Sequence, residues 1–266
     1  AGAAAEDLPD RIEVLIEAHI DRLTPVQRRS LQAGAVLGAR FDAELFEDLP
    51  GASAADLDGL ADFVTIDEGE IRFRHALYRD TAYQTLPVKE RRRLHTYAAE
   101  ALEVRAGDAP LEFAELLAVH WFNAARYDRA WEYLRAAGAR ARTDLAPYEA
   151  SQFLERAVQC VRHLGPAERA ARFEVEEELG LIYDTLARYD DAERCLRNAR
   201  RHAPNASARA RIRGHEGRIA RSNKSLSTSL RRYRTALTEV PDDAHGVRAQ
   251  LLVGVASVLE RQGRHA

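Results

Sequence analysis

Several residue types are scarce in this 266-residue chain. It has no methionine and two cysteines, and only two of its 39 basic residues are lysines. Cys160 and Cys195 are far apart and have no neighbouring ligands, so neither a disulfide framework nor a zinc site is expected. A chain of this kind suits a reducing compartment, and we expect it to be cytoplasmic. Because the chain has no methionine, not even at position 1, we expect it to be a piece of a longer protein. We attribute the preference for arginine to genome composition.

Long apolar runs and catalytic motifs are absent too. The longest apolar run, 251–259, includes Gly254 and Ser257 and is too short to span a membrane, so we expect no membrane partner. The sequence has no G-x-x-x-x-G-K-[ST] phosphate loop, no G-x-S-x-G motif and no glycine-rich dinucleotide loop. His215-Glu216 is not followed by a second histidine at metalloprotease spacing. We therefore expect no enzymatic activity, no metal and no cofactor in this chain.

The residues that are present predict helices. Hydrophobic residues make up 46% of the chain and aromatic residues only 7%, which indicates an alanine-rich helical core. Residues 173–206 follow the roughly 34-residue tetratricopeptide pattern of two antiparallel helices. Small residues stand where the helices cross, large ones fill the gap, and a proline ends the second helix. These positions are Gly180 and Ala192, then Tyr183, Tyr189 and Leu196, and finally Pro204.

Weaker copies of this pattern flank that repeat. The template fits 117–137, matches only a second helix at 150–157, and fits 217–241 imperfectly. In the last of these, Arg213 and Glu216 stand where large apolar residues are expected, which puts the packing of that helix in question. We expect 244–263 to be the first helix of a further, truncated repeat. Residues 88–266 are therefore predicted to form a tetratricopeptide-like α-solenoid, an architecture that presents a binding surface.

The first part of the chain has a different pattern. Thr24-Pro25 and Asp42 are helix-start signals within a region of amphipathic helices that begins at Pro9. The period then changes, because 63–66 and 71–74 read as two strands joined by a turn. Helices followed by a β-hairpin and another helix predict a small winged-helix module over 9–87. The fold class that we expect is mainly α, with this module followed by the solenoid.

One segment resembles a known family. Residues 71–95, continued by Ala98-Ala99-Glu100-Ala101-Leu102, resemble the segment that follows the nucleotide-binding domain in bacterial STAND-type signalling ATPases. These include adenylate-cyclase-associated and transcription-regulator proteins. Leu8-Pro9 and 22–41 are similar to the start of their winged-helix module. The resemblance implies that this chain is a regulatory half, that ATP or ADP binds a domain preceding residue 1, and that this ATPase domain is a partner.

The resemblance also gives a role to His75. In STAND proteins a histidine at a similar strand-to-helix junction reaches the phosphate of the bound nucleotide and holds the inactive state. An imidazole N–H at a helix start is able to donate to an anion. The alternative is a histidine that caps the helix or is satisfied in the core. We also expect His95 and His120, which lie among apolar helical residues, to be core or interface histidines.

The charge distribution is uneven along the chain. Residues 1–70 hold 16 acidic and 5 basic residues, a net charge of −11, which argues against DNA binding by the winged helix. Residues 196–234 hold 12 basic residues and one acidic residue, a net charge of +11. Arg211, Arg218 and Arg221 share one side of a predicted helix and occupy template positions that line the inner face of such arrays. They are candidates to bind carboxylates or phosphates of a partner, or else form a solvated basic face.

Several functions fit this pattern. The first is a sensor and scaffold module that binds a protein, a peptide or a small signal on the repeat surface and couples it to the ATPase domain. A second is autoinhibitory docking of the acidic first module on the basic repeats. The third is nucleic-acid binding through 196–234, which the lack of aromatic residues before Tyr233 makes less favourable.

Overall fold

A computed structural model describes residues 14–263 except Lys224. The described chain is mainly α-helical with one small antiparallel sheet, which confirms the predicted fold class. It divides into two compact units, Ala1–Arg129 and Ala130–Ala266. The predicted division into 9–87 and 88–266 concerns sequence modules and stays a prediction. None of the described helices has an apolar stretch long enough to cross a membrane.

Unit 1 begins with α1, whose described part is 14–21; its predicted start at Pro9 lies outside the described residues. The remaining helices and strands, with two 3-10 turns at Ala54–Leu60 and Pro110–Phe113, follow in chain order. They are α2 (Pro25–Leu37), β1 (Arg40–Asp42), α3 (Ala43–Glu47), β2 (Val64–Asp67), β3 (Glu70–Phe73), α4 (Ala76–Gln84), α5 (Val88–Ala106) and α6 (Ala114–Asn123).

Both helix starts predicted by capping residues are confirmed. The Thr24 hydroxyl accepts from the backbone N–H of Gln27 and the Gln27 side chain accepts from the N–H of Thr24, with Pro25 at the first helical position. This reciprocal pair satisfies two amides that the helix itself leaves unpaired. Asp42 caps α3 by accepting from the N–H of Leu45 at 3.0 Å.

The predicted hairpin is confirmed as β2 and β3, and a third strand joins it. The strand order is β1-β3-β2, with Phe41 opposite Ile71 and Ile66 also opposite Ile71 from the other side. The sequence analysis missed β1 because it has three residues with one buried side chain, too few for an alternating pattern. The sheet covers an apolar cluster that includes the buried rings of Phe41, Phe46 and Phe73.

Unit 2 consists of helices arranged in successive antiparallel pairs. They are α7 (Tyr127–Thr143), α8 (Pro147–Val161), α9 (Pro166–Thr185), α10 (Tyr189–His202), α11 (Ala206–Ser222), α12 (Leu226–Glu239) and α13 (His245–Arg261). Each of α9 to α13 contacts its predecessor, and α9, α11 and α13 also contact each other in order.

The three hairpins of unit 2 close in the same way. Backbone N–H groups of Ala146, Arg188 and Ser225 donate to the carbonyls of Ala141, Tyr183 and Ala220 at 2.8, 2.8 and 2.9 Å. A bond of this span needs a left-handed residue after the helix, and Leu145 and Ala187 adopt φ of 57° there. The recurrence of this closure supports a repeated helix-hairpin unit.

A glycine marks the crossing point in each of these hairpins. A Cβ on Gly138 would stand 2.9 Å from Leu154, one on Gly180 would stand 2.8 Å from Leu196, and one on Gly217 would stand 3.1 Å from Tyr233. The second helix at 150–157 therefore has a first helix, α7. The sequence analysis missed this pairing because α7 had already been matched as the second helix of the preceding repeat.

The helix whose packing was in question, α11, is well packed. Glu216 is buried and accepts from Arg200 at 3.2 Å, while Arg213 donates to Glu239 at 2.6 Å. Tyr233 of α12 fills the adjoining space against Gly217 and Gly254. Ion pairs and one aromatic ring thus replace the aliphatic side chains of the repeat template.

Candidate partner-binding site

The residues of interest in unit 2 lie in rows along α9 and α11. Spacings of three and four residues place Glu177, Leu181 and Asp184 on one face of α9. Gly214, Arg218 and Arg221 occupy the equivalent positions of α11, counted from the crossing glycines Gly180 and Gly217. The row on α9 is mostly acidic and the row on α11 is mostly basic.

The structure places the three predicted arginines on α11 and directs them to groups of the same chain. Arg211 donates through Nε and Nη2 to the two carboxylate oxygens of Glu177, at 2.8 and 2.7 Å. Arg218 Nη2 lies 3.1 Å from Asp184 Oδ2. Arg221 donates to the hydroxyl of Ser257 on α13. The side chains of Arg211 and Arg218 are 41% and 42% exposed, so partner and solvent still reach them.

Glu177 is the centre of this ion-paired cluster. Its carboxylate oxygen Oε1 also lies 3.2 Å from His215 Nε2, within hydrogen-bond distance. The Glu177 side chain is 11% exposed. Burial by itself raises the pKa of Glu177, but the hydrogen bonds from His215 and Arg211 outweigh it and leave the pKa below its usual value. The bidentate contact with Glu177 raises the pKa of Arg211. We call the space between α9 and α11, spanned by these pairs, the bridged groove.

A second space, between α7 and α9, is open. It is a cavity of about 710 Å³ with an apolar wall made by Leu145, Pro147, Leu181 and Ile182. Leu145 lies in the α7–α8 turn and lines the cavity. Its side chain is 87% exposed, an unusually high value for a leucine. We call this space the open groove. Its volume lies within the range of about 300–1,000 Å³ that is typical of ligand sites.

Charged side chains surround the apolar wall of the open groove. Three glutamates and one arginine line it, and Arg142 Nε donates to Glu178 Oε1 at 2.9 Å. Glu174, which is 66% exposed, meets Arg135 at 3.3 Å. Exposed pairs of this kind contribute about 0–1 kcal/mol and exchange partners readily. The groove therefore combines an apolar wall with carboxylates that a cation from another molecule is able to reach.

The open groove and the bridged groove differ at one position of the facing helix. The position that holds Arg218 in α11 holds Ala139 in α7. An arginine there would reach across to α9, as Arg218 reaches Asp184. The sequence analysis missed Leu145 and Leu181 because neither belongs to the repeat template. A leucine in a polar turn was the available signal for the first of them.

His75 lies in unit 1, at the start of α4. Its side chain is exposed and makes no capping hydrogen bond to the helix, and its ring meets Tyr78 edge-on at 6.3 Å. It therefore occupies the N-cap position of α4 without a side-chain capping bond, and it is not a buried core residue. Its assignment to a nucleotide phosphate stays a prediction.

A buried chain of polar rings also lies in unit 1. Tyr83 Oη is 2.9 Å from His95 Nε2, and His95 Nδ1 is 3.0 Å from His120 Nδ1. Burial lowers the pKa of His95 to about 3, with a further contribution from His120, and burial lowers the pKa of His120 to about 4. Both rings are neutral at pH 7, as core histidines. No group of three or more metal-ligating side chains occurs in the part of the chain that the structure describes.

Comparisons with known proteins do not assign this chain to a family. No family model matches the chain, and no curated protein matches it. Among solved structures, the crystal structure of BtubC (BKLC) from P. vanneervenii is similar at a TM-score of 0.47 and 16% identity, over 70% of this chain and 79% of that chain. A likeness at this level does not establish a shared family or function.

Proposed function

We propose that unit 2 is a binding module that holds a short segment of a partner protein in the open groove. The observation that carries this proposal is the exposed apolar wall next to reachable carboxylates. Arrays of helix pairs expose extended surfaces of this kind, since each pair packs only against its neighbours. No reaction is assigned to the groove.

The lining of the groove selects the chemistry of the partner. An aliphatic or aromatic side chain of the partner would cover Leu145 and Leu181, and each fully buried side chain of this size contributes about 1.5–3 kcal/mol. Glu174 and Glu178 of the lining are 66% and 32% exposed and offer negative charge to a partner, whereas Glu177 is held by Arg211 and His215. A lysine or arginine beside the apolar side chain of the partner complements this charge. The occupant is thus a peptide segment with an apolar anchor next to a basic residue.

We further propose that this module is the regulatory part of a STAND-type signalling ATPase. The support is the resemblance of residues 71–102 to that family, together with the exposed position of His75 at the start of α4. In this arrangement, partner binding biases the equilibrium of a nucleotide-binding domain that carries ATP or ADP. The nucleic-acid alternative has less support, because Arg200, Arg211, Arg213, Arg218 and Arg232 of the basic segment are paired with carboxylates.

Selection from a display library of random twelve-residue peptides tests the proposed binding directly. We expect the enriched peptides to share an apolar residue beside lysine or arginine. The test variant is Leu145→Asn, because asparagine tolerates the left-handed backbone at this turn and removes the apolar wall. Loss of one buried apolar side chain corresponds to an increase in Kd of about tenfold or more.

Leu252→Gln is the matched control, since Leu252 is an exposed leucine on α13, outside the open groove. It should bind the selected peptides as the native chain does. The proposal is contradicted if no peptide family is enriched, or if the two variants lose binding equally.

A further inference from the structure

A separate cluster of arginines lies on α10, α11 and α12 of unit 2. A cavity of about 270 Å³ is bounded by α10, α11 and α12, and it contains none of the residues of the open groove. Five of its lining residues are arginines: Arg197, Arg200, Arg213, Arg231 and Arg232. Two glutamates, Glu193 and Glu216, complete the charged lining, and Glu239 pairs with Arg213 from outside it. Five positive charges minus three negative charges leave +2.

Carboxylates of the same chain hold three of these arginines in place. Arg232 Nη1 donates to Glu193 at 2.9 Å and to the backbone carbonyl of Glu216 at 2.8 Å. Arg200 donates to the buried Glu216, and Arg213 donates to Glu239. Their side chains are between 25% and 31% exposed. A ligand at this site would therefore meet guanidinium groups that are already ordered, which lowers the entropic cost of binding.

The other two arginines provide the excess charge. Arg197 on α10 and Arg231 on α12 are exposed, and no hydrogen bond or ion pair of either guanidinium group is found among the described residues. They stand on opposite sides of the same cavity, on helices that both flank α11. Two positive charges without a carboxylate partner remain at this cavity, and an anion between them would balance them.

The size and lining of the cavity restrict which anion fits. Its volume lies just below the range of about 300–1,000 Å³ of sites for drug-sized ligands. Its other lining residue is Thr235, so no apolar or aromatic side chain is available to stack a base. Arginine presents paired N–H donors that match phosphate oxygens in a bidentate way. A compact, doubly charged phosphate fits these properties better than a nucleobase or a nucleic-acid strand.

We propose that this cavity is a binding site for a terminal phosphate group, either of a small phosphorylated compound or of a phosphorylated side chain in a partner protein. Arg200, Arg213 and Arg232 form its ordered base, and Arg197 and Arg231 close on the phosphate from α10 and α12. The site does not depend on the open groove or on the family resemblance. Its failure would leave the proposed peptide binding untouched.

Calorimetric titration of the chain with inorganic pyrophosphate, at constant ionic strength, tests the proposal. We expect saturable binding to one site with Kd below about 1 mM. In the double variant Arg197→Gln/Arg231→Gln, loss of two charge-assisted contacts should raise Kd at least about tenfold. The matched control is Arg201→Gln/Arg234→Gln, which removes the same charge from exposed positions of α10 and α12 outside the cavity. It should change Kd by less than about twofold.

Two further probes separate the sources of the phosphate and the alternative ligand. Tighter binding of O-phosphoserine than of pyrophosphate, lost in the first double variant, assigns the site to phosphorylated side chains. The reverse order assigns it to small phosphate compounds. The proposal is overturned if pyrophosphate does not saturate the chain or if both double variants weaken binding alike. It is also overturned if a single-stranded oligonucleotide binds more tightly than either probe.

Discussion

The bridged groove and the open groove lie on either side of the same helix, α9, yet they differ in what fills them. Between α9 and α11, Glu177 and Asp184 hold Arg211 and Arg218. Between α7 and α9, a cavity of about 710 Å³ remains. The hairpins that supply these helices are built alike, because the crossing glycines and the hairpin closures recur in each.

Arginines of the facing helix cross to α9 in both grooves, since Arg135 and Arg142 of α7 meet Glu174 and Glu178. The two grooves differ at the position that holds Arg218 in α11 and Ala139 in α7. Long basic residues on α11 meet the acidic row of α9 and are held by it. Ala139 on α7 is too short to do so, and the apolar wall of Leu145 and Leu181 is left uncovered. Arg211 and Arg218, which the sequence predicts to bind a partner, are ion-paired within the chain but remain 41% and 42% exposed. Their role in partner binding stays a prediction.

The largest expected effect concerns the framework common to both grooves. Leu154 and Leu196 are fully buried, each against a crossing glycine. Leu154→Ala and Leu196→Ala should each lower the free energy of unfolding by about 2–5 kcal/mol, because each leaves a cavity at a helix crossing. Urea denaturation monitored by circular dichroism measures this. A much smaller cost for one of them would show that the two hairpins are not equivalent.

The next effect is a dependence of folding stability on pH. It arises from two histidines of unit 1 and is distinct from the effect of the carboxylates in the grooves. The pKa values of His95 and His120, about 3 and 4 in the folded chain, lie below the unfolded value of about 6.5. The unfolded chain therefore binds more protons, and stability that is full above pH 6.5 falls as the pH falls. The slope is about 1.4 kcal/mol per pH unit for each histidine. Thermal unfolding from pH 7 to pH 5 measures it, and a flat profile would contradict it.

Glu177 contributes to the bridged groove at lower pH. Its folded pKa is depressed, so this contribution is present above the unfolded value of about 4.3 and disappears below it. Glu176, whose pKa burial raises, acts in the opposite direction and at pH values above the unfolded value, because its folded form takes up a proton first. Acid should therefore weaken the bridged groove at lower pH than that at which the histidine pair begins to cost stability, since unfolded histidines take up protons near about pH 6.5.

A pair of isosteric substitutions compares the two grooves at neutral pH. Glu177→Gln leaves Arg211 and His215 without their carboxylate and should cost about 1–3 kcal/mol of stability. Glu174→Gln at the open groove should cost about 0–1 kcal/mol, since Glu174 is exposed. Chemical denaturation of both variants gives the difference. Equal costs would mean that the ion pairs of the bridged groove add little to the stability of the array.

The smallest expected effect is at the turn that walls the open groove. Leu145 has a positive φ that asparagine adopts at less cost, and its side chain is 87% exposed. Leu145→Asn should change the free energy of unfolding by no more than about 0.5 kcal/mol. The melting temperature of this variant is the readout. A large loss would show that Leu145 has a structural role and would remove it as a probe of binding.

The helix starts at Thr24 and Asp42, the hairpin and the mainly α fold were all predictable, because each rests on a local signal. The strand β1 was not, because three residues with one buried side chain carry no period. The partners of the arginines were also beyond prediction. Arg211 and Glu177 are far apart in sequence, and only the packing of α9 on α11 brings them together. The open groove is lined by residues from several helices, so no single sequence motif predicts it.

Hydrogen–deuterium exchange of the chain, with and without a peptide selected on it, tests the comparison of the two grooves most directly. If the open groove is the binding site, amides at 142–147 and 174–185 should exchange more slowly in the complex. Amides at 211–221, in the bridged groove, should not change. Protection confined to 211–221, with none at 142–147, would contradict the assignment and return the binding site to the arginines of α11.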